Sequence, residues 1–132
     1  MILVDTSVLI GYFRGQTGPI IDQFEDIMTR EIPFGINSYI FQEVLQGAKD
    51  NREFSKLKTY LEPLIFYEFL DNKTSHEQAA RLYMRCRQSG ITIRSTLDVI
   101  IAQCAIEHQL LLLHNDKDFD AIAKVIPELK LY

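Results

Sequence analysis

Four acidic residues lie beside apolar segments instead of among the polar residues of exposed helix faces: Asp5, Glu43, Asp98 and Asp116. Asp5 directly follows the apolar run at residues 2–4, and Asp116 comes shortly after the run at 110–113. Both runs predict short buried strands, and in parallel sheets the carboxyl ends of the strands carry the binding crevice. We therefore expect Asp5 and Asp116 to face one cleft.

Glu43 and Asp98 belong to predicted helices. Glu43 flanks the apolar stripe of its helix, while Asp98 is in the first turn of a helix that is apolar almost all round. A helix of that kind is expected to be central and buried. Its first turn, with Asp98, would then point towards the same edge of the sheet.

Four carboxylates in one cleft need a cation. Two carboxylates about 5 Å apart repel each other by roughly 3 kcal/mol at an effective dielectric of 20. An all-carboxylate site suits a hard divalent ion, Mg²⁺ or Mn²⁺. Such ions bridge phosphate oxygens and activate water, so the chemistry that this arrangement predicts is hydrolysis of a phosphodiester bond.

Each acid also has a purely structural interpretation. Asp5 is a possible N-cap of the helix that follows it, and Ser95 with Asp98 matches a capping box. Glu43 is a possible half-exposed helix acid, and Asp116 a possible Asx-turn residue. These interpretations explain the residues singly, but not their shared place at one edge.

Short apolar strands alternate with helices along the chain, which is typical of a parallel sheet covered by helices on both faces. The predicted strands are residues 2–4, 33–36, 64–69, 110–113 and 129–132. The longer predicted helices include residues 50–62, 75–89, 95–108 and 119–125. Without repeats or a linker-like segment, the sequence predicts one α/β domain over residues 1–132.

Composition excludes several classes of protein. The net charge of −4 over 132 residues argues against binding nucleic acid through a broad basic surface, although not against a metal-assisted enzyme. No apolar run approaches the roughly 18 residues that span a bilayer, and no basic segment precedes the first apolar run. Cys86 and Cys104 have no CxxC spacing, so neither a disulfide framework nor a zinc site is expected. We expect a cytoplasmic protein without a membrane partner.

Four segments resemble the motifs of PIN-domain nucleases, and more narrowly those of the VapC-type toxins of bacterial toxin–antitoxin pairs. They are "LVDTSVLI" around Asp5, "FQEVLQGA" around Glu43, and "TLDVIIAQCAIEHQLLLLHNDKDFDAIA", which contains both Asp98 and Asp116. The motifs occur in the family's order, and the resemblance covers nearly the whole chain.

The resemblance implies a Mg²⁺- or Mn²⁺-dependent endoribonuclease with a three-layer α/β/α sandwich and a mainly parallel sheet. The residues that match the family's metal-binding acids are Asp5, Glu43, Asp98 and Asp116, with Asp118 as a further acid. Whether Asp116 or Asp118 is the closer ligand stays open, and we favour Asp116. Thr6 matches the family's hydroxyl residue near the metal, or alternatively caps the helix that follows.

The resemblance also implies an RNA substrate, a small antitoxin partner and a homodimer or a higher toxin–antitoxin assembly. Arg14, Arg94 and Lys117 lie near the ends of the acid-bearing segments and are candidates for binding RNA phosphates. Two other functions fit the same residues. One is a PIN-fold nuclease of RNA processing or quality control, and the other is a non-catalytic module whose acidic cleft binds a basic partner.

Overall fold

The computed structural model describes residues 1–132 and alternates short strands with helices, as the sequence predicts. The strands are β1 (Ile2–Val4), β2 (Phe34–Ile36), β3 (Ile65–Phe66), β4 (Leu111–Leu113) and β5 (Lys130–Leu131). The helices are α1 (Thr6–Phe13), α2 (Pro19–Thr29), α3 (Ser38–Gln46), α4 (Asn51–Leu61), α5 (Asn72–Gln88), α6 (Thr96–Glu107) and α7 (Lys117–Val125).

The five strands form one sheet in the order β3-β2-β1-β4-β5, and every pairing is parallel. From β1 the chain moves outward through β2 and β3, then crosses back to place β4 on the other side of β1. The strand order therefore reverses between β1 and β4, where Val4 pairs with Leu113. Ligands of open α/β sheets bind beyond the carboxyl ends of the strands at such a reversal.

The connecting helices cover both faces of the sheet. Helices α1 to α4 pack against one another in series, and α5, α6 and α7 form a second group. The three-layer α/β/α arrangement predicted from the sequence is confirmed, and its sheet is wholly parallel.

Two of the most buried elements, β1 and α6, position acids of the site. Residues Ile2–Val4 of β1 are completely buried, which explains their unbroken apolar sequence. In α6 every residue from Val99 to Ala105 is buried, as expected for a helix that is apolar on all sides. Asp5 and Asp98 are therefore attached to deeply buried parts of the core.

Some boundaries differ from the prediction. Only Ile65–Phe66 of the predicted strand 64–69 pairs in the sheet, because the chain then turns so that Glu68 accepts hydrogen bonds from Ser38 N at 3.0 Å and from Ser38 Oγ at 2.5 Å. Helix α5 begins three residues earlier than predicted, because Asp71 caps it.

The two thiols are separate and buried. Cys104 Sγ donates a hydrogen bond to the Tyr67 carbonyl at 2.9 Å, and burial raises the pKa of Cys104 to about 11. Both cysteines are therefore core residues. No helix is both long and apolar enough to cross a bilayer.

Candidate metal centre

The carboxyl ends of β1 and β4 are held together where the strand order reverses. The backbone N–H of Asp5 donates to the carbonyl of Leu113 at 2.9 Å, which extends the sheet by one residue beyond Val4. Asp5 and the segment that leads from β4 to Asp116 thus start from the same edge.

Asp5 is 5% exposed and is the N-cap of α1. Its Oδ2 accepts hydrogen bonds from Ser7 N at 3.0 Å and from Ser7 Oγ at 2.5 Å. Ser7 Oγ in turn accepts a bond from Asn115 N at 2.9 Å and so ties α1 to the segment after β4. Burial raises the pKa of Asp5, an effect that these hydrogen bonds partly oppose. The capping interpretation of Asp5 is correct, but one carboxylate can both cap a helix and face a cation.

Glu43 reaches the site from α3. Thr6 Oγ1 donates to Glu43 Oε1 at 2.8 Å, so the hydroxyl beside Asp5 holds the carboxylate of a different helix. Burial raises the pKa of Glu43, and the charge of Asp5 raises it further. Thr6 therefore links the two acids that approach from the α1–α3 side.

Asp98 is the acid with the most unfavourable surroundings. The capping box predicted for it does not form, because Ser95 Oγ accepts its hydrogen bond from Leu97 N at 3.2 Å and the Asp98 carboxylate accepts none. Burial raises the pKa of Asp98 to about 7, helped by the charges of four other acids. In order of decreasing effect, these are Asp116, Asp5, Asp118 and Glu43.

The remaining two acids complete a group of three with Asp98. One oxygen of each of Asp98, Asp116 and Asp118 lies within 4.8 Å of the others, a spacing that can hold a metal ion. Asp116 caps α7 through Oδ1, which accepts from Asp118 N at 2.9 Å. The Asp116 backbone N–H donates to Nδ1 of His114 at 3.1 Å, which fixes the turn after β4.

Asp118 also carries the strongest ion pair of the site. Arg94 Nε donates to Asp118 Oδ2 and Arg94 Nη2 to Oδ1, each at 3.0 Å, so the pair is bidentate. The Asp118 side chain is 18% exposed, whereas that of Arg94 is 65% exposed. The guanidinium therefore lies on the solvent side of Asp118.

Lys117 and Arg14, the other two residues predicted to bind RNA phosphates, form no ion pair with the acids. Lys117 is exposed at the first turn of α7, between Asp116 and Asp118, and forms no ion pair. Arg14 is the C-cap of α1, the helix that Asp5 caps at its start, so it lies roughly 14 Å from Asp5, nine residues along the helix. Of the three, Arg94 is the one that the fold brings into contact with the acids.

Three contacts of the site were not foreseen from the sequence. Ser7 and His114 fix the turns that carry Asp5 and Asp116, and Arg94 binds Asp118 instead of standing free. An Asp followed two residues later by Ser is a local signal for the first contact. The fork between residues 94 and 118 has no such signal, because it joins two separate elements.

The sequence is similar to those of known ribonucleases and matches one family model. A family model described as the PIN domain matches residues 2–125. The VapC ribonuclease Mb1587 of Mycobacterium bovis is 32% identical over 126 residues, covering 95% of this chain and 93% of that protein. Ribonuclease VapC11 of Mycobacterium tuberculosis matches with the same identity and coverage.

Two solved structures share the fold. VapBC2 from Rickettsia felis, solved bound to a DNA fragment from its promoter, superposes with a TM-score of 0.76 at 22% identity, covering 100% of this chain and 98% of that chain. FitAcB from Neisseria gonorrhoeae gives a TM-score of 0.71 at 18% identity, covering 100% and 96%. The family match and the identity to the mycobacterial relatives show that the chain belongs to the PIN-domain family and is of the VapC type.

Proposed function

We propose that residues 1–132 form a single PIN domain that cleaves RNA endonucleolytically, as the toxin of a toxin–antitoxin pair. Membership of the VapC type supports this activity, since both mycobacterial relatives are named as ribonucleases. The observation that carries the proposal is the group of three carboxylates, Asp98, Asp116 and Asp118, with one oxygen of each within 4.8 Å of the others. Such a cluster is typical of a cation site.

A divalent metal fits the residues present. The group consists of carboxylate oxygens alone, the donor set that Mg²⁺ and Mn²⁺ prefer, and the three closest oxygens lie within 4.8 Å of one another. Asp98, Asp116 and Asp118 would hold the ion most directly, and Asp5 and Glu43 are near enough for their charges to raise the pKa of Asp98. Bound there, the metal would activate water and neutralise charge on the phosphodiester.

The chain's own residues would position the reacting groups. Ser7 and His114 keep the turns of Asp5 and Asp116 rigid, so these carboxylates do not need to reorganise during the reaction. Arg94 and Lys117, which lie beside the acids, would supply positive charge for a phosphate of the RNA. Arg14, one helix length away, would contact a phosphate farther along the strand.

Substitution of Thr6 tests whether its hydrogen bond to Glu43 supports metal binding. We expect Thr6→Val to weaken Mn²⁺ binding about tenfold, because Glu43 loses the donor that orients its carboxylate. Thr6→Ser keeps the hydroxyl and should bind Mn²⁺ nearly as the wild type does. Calorimetric titration of the three proteins measures the difference. Equal affinities for the valine and serine variants would show that the hydroxyl does not support the metal site.

We also propose a cognate antitoxin, a homodimer or higher assembly, and the cytoplasm as the place of action. The VapC type supports the antitoxin, and one structural neighbour was solved as VapBC2, with its promoter DNA. Light scattering after size exclusion would measure the oligomer.

Expression in bacteria tests the biological role. The wild-type chain should arrest growth when expressed alone, and co-expression of the small protein encoded beside it should relieve the arrest. Asp98→Asn, which removes one carboxylate of the site, should not arrest growth at equal expression. Normal growth with the wild type would contradict the toxin assignment, while RNA cleavage by the purified protein would still identify a nuclease.

A further inference from the structure

Arg94 already occupies the acid cluster with a positive charge. It lies in the irregular segment between α5 and α6, and its guanidinium binds both oxygens of Asp118 at 3.0 Å. The pKa of Arg94 is raised first by the hydrogen bonds and charge of Asp118, and further by the charges of Asp116 and Asp98. The guanidinium therefore experiences the same acids as the proposed divalent ion.

No other lysine or arginine forms an ion pair with these acids. The remaining Lys and Arg pairs join exposed residues elsewhere, such as Arg85 with Glu128 at 3.5 Å. The Arg94–Asp118 pair is also shorter and bidentate, although the arginine is mostly exposed. This combination gives a well-defined contact that can break without disturbing the core.

The pair conflicts with metal binding by Asp118. Both oxygens of Asp118 accept hydrogen bonds from Arg94, yet one oxygen of the same carboxylate is part of the group spaced to hold an ion. Each carboxylate oxygen has a second lone pair, but a guanidinium and a divalent ion in contact with one carboxylate repel each other and share its charge. Arg94 and a divalent ion therefore compete for Asp118.

We propose that Arg94 is an intramolecular counter-cation that lowers the affinity of the site for its metal and is released from Asp118 when the metal binds. The inference rests on the proposed function, because it requires the acids to bind a divalent cation. Once released, the exposed guanidinium stands at the edge of the cluster and is free to bind a phosphate oxygen of the RNA. Metal and phosphate binding then favour each other, since each is compatible only with the broken pair.

The decisive variant is Arg94→Gln, titrated with Mn²⁺ and with Mg²⁺ by calorimetry. We expect it to bind either ion about twofold to fivefold more tightly than the wild type, the upper part of the range for loss of one exposed ion pair. Lys117→Gln removes a neighbouring charge that does not contact Asp118, and should change the affinity by less than about twofold. A purely structural arginine would give the opposite sign, because its loss would disorder Asp118 and weaken binding.

A double-mutant cycle assigns the effect to Asp118. In the Asp118→Asn background the same Arg94→Gln change should no longer tighten metal binding, because the competition for that carboxylate is gone. Arg94→Gln should at the same time cleave RNA about tenfold more slowly at saturating metal, since the phosphate loses a cation. Tighter metal binding with slower cleavage is the signature of the exchange.

The arginine side chain reports the exchange directly. In nuclear magnetic resonance spectra of the wild type, the Nε–H signal of Arg94 should move or broaden when Mg²⁺ is added, while that of Arg85 should not. If the wild type binds neither ion, the proposed metal site fails. If the wild type binds metal but Arg94→Gln binds no more tightly, or the Arg94 signal does not change, the counter-cation proposal is overturned and the metal site stands.

Discussion

Asp98→Asn is expected to reduce Mg²⁺-dependent RNA cleavage by at least about 100-fold, because substitutions of residues that only support a metal ligand already cost about 10- to 100-fold. Asp98 is the acid with the clearest electrostatic need for a cation, since its carboxylate accepts no hydrogen bond and faces four other acids. Cleavage of a defined RNA by the purified proteins, at a fixed Mg²⁺ concentration, measures the loss.

The same substitution should make the metal-free protein more stable at neutral pH. The pKa of Asp98 is raised from 3.8 to about 7, first by burial and then by the neighbouring charges, so the folded protein holds a proton that the unfolded chain releases. Folding stability therefore falls as the pH rises from about 4 to about 7, and stays low above that range. The asparagine side chain of the variant has no proton to lose, and we expect a gain of roughly 1–2 kcal/mol at pH 8 after allowing for solvent screening.

A comparison of two pH values and a control variant test whether the stability gain comes from the charge of Asp98. The stability difference between wild type and Asp98→Asn should close towards pH 4, where Asp98 is neutral, and denaturation in chelator at both pH values measures it. Glu25→Gln, an exposed helix position without an ion pair, should change neither activity nor this pH dependence. An Asp98→Asn protein that is less stable than the wild type at pH 8 would contradict the electrostatic account.

Asp5→Asn and Asp5→Ala should separate the two roles of Asp5. Both remove the negative charge from the cleft, so we expect both to reduce cleavage by at least about 100-fold. Only alanine also removes the acceptor for Ser7 N and Ser7 Oγ, and with it the N-cap of α1. Alanine should therefore cost about 1 kcal/mol of stability relative to asparagine.

A second cap provides the matched control. Asp71 caps α5 through Thr74 N at 3.1 Å and lies outside the acid cluster, so Asp71→Ala should lose similar stability and keep full activity. Denaturation in chelator and RNA cleavage are measured for all three variants. If Asp5→Asn cleaves as fast as the wild type, Asp5 is only a cap and the acid set has to be revised.

Much of the fold could be predicted because burial leaves a direct mark on the sequence. Residues 2–4 and 112–113 are apolar because they lie buried in the middle of a sheet with helices on each side, whereas Leu111 at the start of β4 is exposed. The shortening of the strand at 64–69 could not be predicted, since it depends on Glu68 meeting Ser38, thirty residues away. Edges of a sheet are decided by such tertiary contacts more than by local propensity.

The positions of the acids, like those of the strands, could be predicted from the sequence, whereas their contacts could not. The position of Asp5 after β1 and of Asp116 after β4 follows from the rule that parallel strands end at one edge. A structural role and metal binding are alternatives for each acid when the sequence is considered alone, yet in the structure Asp5 and Asp116 are helix caps that also belong to the acid cluster. The pairing of Arg94 with Asp118 depends on how the segment before α6 packs beside α7, which no local pattern encodes.

The central claim is that these acids hold a divalent metal for RNA cleavage. The most direct test is cleavage of RNA by the purified wild-type protein in chelator, and again after Mg²⁺ or Mn²⁺ is restored, with Asp98→Asn in parallel. We predict no cleavage in chelator, full cleavage by the wild type when metal returns, and almost none by Asp98→Asn. Cleavage that persists in chelator, or an Asp98→Asn protein as active as the wild type, would contradict it.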